Sequence, residues 1–185
     1  MKNKLAIFDL DGTLFDTRDV NYFAYKEALS EYGFELKRDY YCKECNGKFY
    51  KVFLPPISTN DDEILEKIHN LKKNAYIKHL SSAKMNVHLF NIMHAIKNEY
   101  YLAVVTTASK KNCMDILTHF KVESLFDLII THDDITNVKP DPEGFNKAMH
   151  VLNIKPEQTM IFEDSKEGIA AARASGANVF SINEF

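Results

Sequence analysis

Short apolar runs separated by stretches of helical periodicity fill the second half of this chain, and that alternation constrains its fold more than any other feature. Apolar runs at 101–106, 126–131, 159–162 and 177–181 alternate with amphipathic stretches near 110–119, 142–151 and 165–175. Continuous apolar runs of this length suit strands buried on both faces. Strands and helices repeating through short connections imply right-handed crossovers, and hence parallel pairing. Lys4-Leu-Ala-Ile-Phe8 is a run of the same kind, ending abruptly at Asp9-Leu10-Asp11-Gly12-Thr13. The expected fold is therefore α/β, a doubly wound, Rossmann-like parallel sheet that includes this first strand.

A mainly helical stretch separates the first strand from the rest. Val20, Phe23, Ala24, Ala28 and Tyr32 recur at three- and four-residue steps, the spacing of an amphipathic helix that Gly33 can terminate. Asp61-Asp62-Glu63 puts negative charge at the start of a second helix carrying Ile64, Leu65, Ile68, Leu71 and Tyr76. Residues 34–60, with Asn46-Gly47 and Pro55-Pro56, are expected to be irregular. A helix over about 86–98 leads into the 101–106 run. The expected domains are an α/β core from 1–15 and 83–185 and a small helical insert, 16–82.

Charge and cysteine content exclude several functions. With 23 Lys+Arg against 26 Asp+Glu, a net charge of −3, the chain has no surplus of cations to grip a nucleic-acid backbone, so nucleic acid is not an expected partner. No segment approaches the ~20 apolar residues a membrane span needs. The apolar run after Met1-Lys2-Asn3-Lys4 stops at Asp9, too early for a signal peptide, so a cytoplasmic location and no membrane partner are expected. Cys42, Cys45 and Cys113 fit reduced thiols.

The carboxyl ends of the strands narrow the function, because open parallel sheets bind ligands there, where the strand order reverses. The first strand ends in Asp9 and Asp11, the 101–106 run in Thr106-Thr107; Lys139-Pro140 follows the 126–131 run and Glu163-Asp164 the 159–162 run. Carboxylates gathered so closely raise one another's pKa unless a cation sits among them. Mg2+ suits oxygen ligands and bridges to phosphate. Singly, each residue has a plainer reading: Asp11-Gly12 as a turn, Thr106 as a strand terminus with Thr107 the equal candidate, Lys139 as a solvated loop lysine, Asp164 as a helix cap.

Together, Asp9-Leu-Asp-Gly-Thr-Leu-Phe-Asp16, Thr106, Lys139-Pro140 and Glu163-Asp164-Ser165 resemble the four ordered motifs of the haloacid dehalogenase superfamily. The likeness is to its capped subgroup containing phosphoglycolate phosphatase and β-phosphoglucomutase. The resemblance implies that Asp9 is a nucleophile and Asp11 an acid/base. It implies that Thr106 donates a hydrogen bond to the phosphoryl group and that Lys139 supplies positive charge. Mg2+ would be held by Asp9, the Asp11 carbonyl and Asp164, with Glu163 in or beside the coordination sphere. The insert would be a cap closing over the site, and Gly47 and Lys48, with Thr107, candidate substrate contacts. Asn21 stands where the mutase has a histidine, and Gly47 precedes Lys48-Phe49-Tyr50-Lys51 rather than the mutase's arginine. A Mg2+-dependent phosphatase of a small phosphorylated metabolite, acting through an aspartyl-phosphate, is thus expected ahead of a sugar-phosphate mutase or a non-catalytic binding module. The expected assembly is a monomer or small homo-oligomer.

Overall fold

The structure, a computed structural model, describes residues 2–183; Met1, Glu184 and Phe185, counted above with the core, lie outside the described residues. Two compact units divide the chain, Met1–Asp16 with Lys84–Phe185, and Thr17–Ala83. The strands are β1 Lys4–Phe8, β2 Phe15–Asp16, β3 Lys84–Met85, β4 Tyr100–Val105, β5 Leu128–Ile130, β6 Thr159–Glu163 and β7 Asn178–Ser181. The helices are α1 Arg18–Ser30, α2 Arg38–Tyr40, α3 Tyr50–Phe53, α4 Asp62–Ala75, α5 Val87–Ile96, α6 Lys110–His119, α7 Glu143–Leu152 and α8 Lys166–Ala174.

The first unit is built on a five-stranded sheet of order β5-β4-β1-β6-β7, parallel at every pairing. From central β1 the chain moves outward through β4 and β5, then crosses to the opposite side for β6 and β7. The order thus reverses beside β1. Leu5, Ala6, Ile7 and Phe8 of β1 are 0% exposed, as a run without alternation demands. Leu5, Ile7, Ala103, Val105 and Ile161 pack with Phe145 and Ala148 of α7 and Ala171 and Ala172 of α8. Phe8, Phe162 and Phe180 stack across three neighbouring strands, with centroids 4.7 and 5.1 Å apart. β2 and β3 form a short antiparallel ribbon, Asp16 facing Lys84.

One expected strand is shorter than its apolar run. The Asp127 carboxylate accepts from the Leu102 amide at 2.8 Å while the Asp127 amide donates to the Leu102 carbonyl. A side chain therefore takes a bond that a strand residue would make with its backbone, and β5 begins at Leu128.

In the inserted unit α1 packs on α4, with Leu29, Leu54 and Ile68 fully buried. Asp61 caps α4, its Oδ1 accepting from the Glu63 and Ile64 amides at 2.9 and 3.3 Å. Residues 34–60 differ from the irregular stretch expected: α2, a π-helical turn at Tyr41–Cys45, α3 and a 3-10 turn at Pro55–Ile57 follow one another. Tyr41, Cys45, Tyr50 and Phe53 are buried in one cluster with Tyr25 and Ile68, so tertiary packing fixes turns that local pattern left undetermined. Pro55 opens its 3-10 turn, where a missing N–H costs no bond. Cys42, Cys45 and Cys113 are free thiols. Among the described residues, no helix is long and apolar enough to cross a membrane.

Candidate active site

Strand register brings the first carboxylates together. Phe8 pairs with Phe162 on one side and Val104 on the other, so Asp9 and Glu163 emerge side by side one residue later. The Asp9 amide donates to the Phe162 carbonyl at 3.0 Å. The chain then turns sharply: the Leu14 and Phe15 amides both donate to the Leu10 carbonyl, and Gly12 N to the Phe15 carbonyl at 2.8 Å. Gly12 has φ +92°, and a Cβ there would lie 2.2 Å from Asp164 Oδ2. Glycine is required twice over, for the backbone and for the approach of that carboxylate. Thr13, wholly buried, donates from its hydroxyl to Asp164 Oδ1 at 3.0 Å. Asn86 braces the same turn, its side-chain amide donating to the Thr13 carbonyl at 3.2 Å.

The second carboxylate ends β6, just ahead of α8. Glu163, 1% exposed, accepts at Oε1 from the Asp164 and Ser165 amides and the Ser165 hydroxyl, at 3.2, 3.1 and 2.9 Å. Ser165 caps the helix by accepting from Gly168 N at 3.0 Å. At Gly168 a Cβ would stand 2.1 Å from the Glu163 carboxyl carbon. Gly168→Ala is therefore expected to displace the carboxylate and cost about 1–3 kcal/mol, the usual range for overpacking; thermal melting beside wild-type protein measures it.

Lys139 joins the two carboxylates. Its Nζ donates to Asp9 Oδ1 at 2.5 Å, Glu163 Oε2 at 2.6 Å and the Val105 carbonyl at 3.3 Å, which uses all three ammonium donors. The side chain is 8% exposed, and its Nζ lies over the Phe145 ring, 5.3 Å from the centroid. Thr106 is buried at the end of β4, where its Oγ1 accepts from Ala108 N at 3.0 Å. Thr107 is exposed and lines a small cavity with Thr106, Lys139 and Phe145. Asp11 is half-buried, its backbone bridged to Phe15.

The electrostatics follow from this gathering of acids around one ammonium. Burial, reinforced by Glu163 and Asp164 and opposed by Lys139, pushes the Asp9 carboxyl well above its ordinary value. Burial and Glu163 push Asp164 up to about 6. Burial would lower the Lys139 ammonium, but Asp9 and Glu163 hold it above its usual value. Oxygens of Asp9, Glu163 and Asp164 lie within 4.8 Å of one another, three acids against one ammonium. An all-oxygen set short of positive charge fits a hard divalent cation.

Gly47 and Lys48 lie in the inserted unit, Gly47 with φ +79° and Lys48 3.7 Å from Glu44 in an exposed ion pair. Thr13, Asn86 and Gly168 complete the arrangement around the carboxylates without having been singled out as site residues. Thr13 stands inside the Asp9–Asp16 motif, and Asn86, just ahead of a helical pattern, carries the local signal of an N-cap.

A family model described as haloacid dehalogenase-like hydrolase matches residues 6–182. The phosphorylated carbohydrates phosphatase of Thermotoga maritima is 29% identical to this chain, covering 97% of it and 87% of that protein. Validoxylamine A 7'-phosphate phosphatase of Streptomyces hygroscopicus is also 29% identical, covering 94% and 82%. Among solved structures, CbbY from Rhodobacter sphaeroides shares the fold with a TM-score of 0.86 at 23% identity, over 100% of this chain and 88% of that one.

Proposed function

The chain belongs to the haloacid dehalogenase-like hydrolase family, and from that premise we propose that it is a Mg2+-dependent phosphatase of a small phosphorylated metabolite, with Asp9 as nucleophile. One observation carries the reading: the Lys139 ammonium between Asp9 and Glu163, with Asp164 alongside, at the strand ends where the sheet order reverses. The names of the two similar phosphatases support a phosphorylated carbohydrate or a related small molecule as substrate.

In this reading an Asp9 carboxylate oxygen attacks phosphorus, the bond to the leaving oxygen breaks, and Asp11 gives that oxygen a proton. Water then attacks the aspartyl-phosphate, losing a proton to Asp11, and phosphate leaves Asp9 free. Lys139 offsets negative charge on the transferring group, and the Thr106 hydroxyl donates to it. Asp9, the Asp11 carbonyl and Asp164 would hold the metal, with Glu163 beside them, its oxygens already engaged by Ser165, two amides and Lys139. Bound Mg2+ supplies charge neutralisation and orients the phosphoryl oxygens. Gly47 and Lys48 are proposed substrate contacts, so Lys48→Ala should raise KM more than it lowers kcat.

The sugar-phosphate mutase reading is less well supported. Asn21 stands where the mutase's histidine helps restrain its acid/base aspartate, and its side-chain amide donates instead to the Thr17 carbonyl and hydroxyl, at 3.2 and 3.1 Å. Phosphate release from a panel of sugar phosphates, nucleotides and phosphorylated short acids, with Mg2+ and with chelator, tests the proposal. Equal background rates from wild-type and Asp9→Asn protein across the panel would sink it. A rearranged phosphate ester without free phosphate would favour the mutase instead.

A further inference from the structure

We propose that Glu143 is a positioning residue for Lys139, acting on it through the backbone of the loop that joins β5 to α7. The inference rests on the role given to Lys139 above. Glu143 is the first residue of α7, but its carboxylate reaches back toward the loop. Oε1 accepts from the Thr136 amide at 2.8 Å, and Oε2 from the Asn137 amide at 2.8 Å and the Asn137 side chain at 3.0 Å. These amides lie three and two residues before Lys139. On the other side of the lysine, Asp141 N donates to the Val138 carbonyl at 3.0 Å, and Glu143 N donates to Asp141 Oδ1 at 2.9 Å. The segment bearing Lys139 is thus closed into a ring at Glu143.

The helix fixes the loop at a second point as well. Lys147, one turn along α7, donates to the Asp134 carbonyl, and Asp134 is held by the Thr131 amide and hydroxyl at the end of β5. The first turn of α7 is itself seated against the site: Gly144 is so close to β4 that a Cβ would lie 2.8 Å from Val105 Cγ1, and the Phe145 ring faces the Lys139 ammonium. The Thr136 and Asn137 amides hold the Glu143 carboxyl below the usual carboxylate range, so the clamp is charged at neutral pH. A carboxylate on two adjacent amides is stronger than neutral bonds. What it fixes is the origin of a side chain whose ammonium must lie within hydrogen-bond reach of both Asp9 and Glu163.

A loosened loop would displace a charge the reaction needs in one place, and displacement of about 1 Å costs about 100-fold in rate. Glu143→Ala is expected to lower kcat about 10- to 100-fold with KM for p-nitrophenyl phosphate within about twofold. Glu143→Gln, which keeps one acceptor oxygen, should fall between Ala and wild type. A second readout needs no turnover: reductive methylation of the native proteins, followed at Lys139 by mass spectrometry well below their melting temperatures. Lys139 should be protected in wild-type protein, methylated in Glu143→Ala and intermediate in Glu143→Gln. Wild-type kcat in Glu143→Ala, or a Lys139 as protected there as in the wild type, would overturn the proposal. A wild-type protein that hydrolyses nothing in the panel would remove the phosphatase reading, while the methylation pattern would still decide whether Glu143 holds Lys139.

Discussion

Replacing Asp9 with asparagine is expected to lower kcat by about 10⁴-fold or more, as losing a nucleophile does elsewhere, while leaving the protein folded. The carboxamide matches the carboxylate in shape and can still receive the Lys139 hydrogen bond, but its oxygen is too weak a nucleophile to displace an alkoxide from phosphorus. Stability should change little, because the charge being removed is one the site carries at a cost: burial, Glu163 and Asp164 already raise the Asp9 carboxyl well above its ordinary value. Lys139 keeps Glu163 as a partner at 2.6 Å. Phosphate release and thermal melting of the two proteins side by side check both halves. A variant that melts with the wild type and turns over at the wild-type rate would place the nucleophile elsewhere.

The parts of this arrangement legible in the sequence are those that follow from strand ends. An apolar run without alternation gives β1, its sudden stop gives Asp9, and the same pattern at β6 gives Glu163 and Asp164. Parallel pairing then brings them together with no further information. Spacing is silent on contacts made through backbone folded in three dimensions. Thr13 reaches Asp164 across 151 positions, and Glu143 meets Thr136 and Asn137 only because the intervening loop doubles back. Gly168 looks like an ordinary helix residue until the Glu163 carboxylate is seen lying where its side chain would be. The inserted unit illustrates the opposite limit, since residues 34–60 combine turn residues with aromatics whose burial, and not local pattern, selects their short helices.

Removing the Lys139 ammonium should have the largest effect on stability. In Lys139→Met an unbranched side chain is kept, but the ammonium over Phe145 is lost, and Asp9 and Glu163, 6% and 1% exposed, lose the cation that faces them. Breaking a buried pair from one side costs about 3–5 kcal/mol, because the remaining charge stays desolvated. The pH dependence has a definite sign. Asp9 is raised already and would rise further without the ammonium. A carboxyl raised in the folded state costs nothing below its ordinary value of 3.8, where it is protonated folded or unfolded, and the cost grows as pH climbs through the raised value. The deficit relative to wild type should therefore be larger at pH 8 than at pH 5, read from urea unfolding in chelator at both pH values. Excess Mg2+ should recover part of it, since a ligand bound only by the folded state stabilises by mass action. Catalysis should not recover with it, because the charge facing the transferring phosphoryl group remains missing. If Lys139→Met were as stable as wild type at pH 8, the lysine would not be compensating the carboxylates, and its place between Asp9 and Glu163 would need another reason.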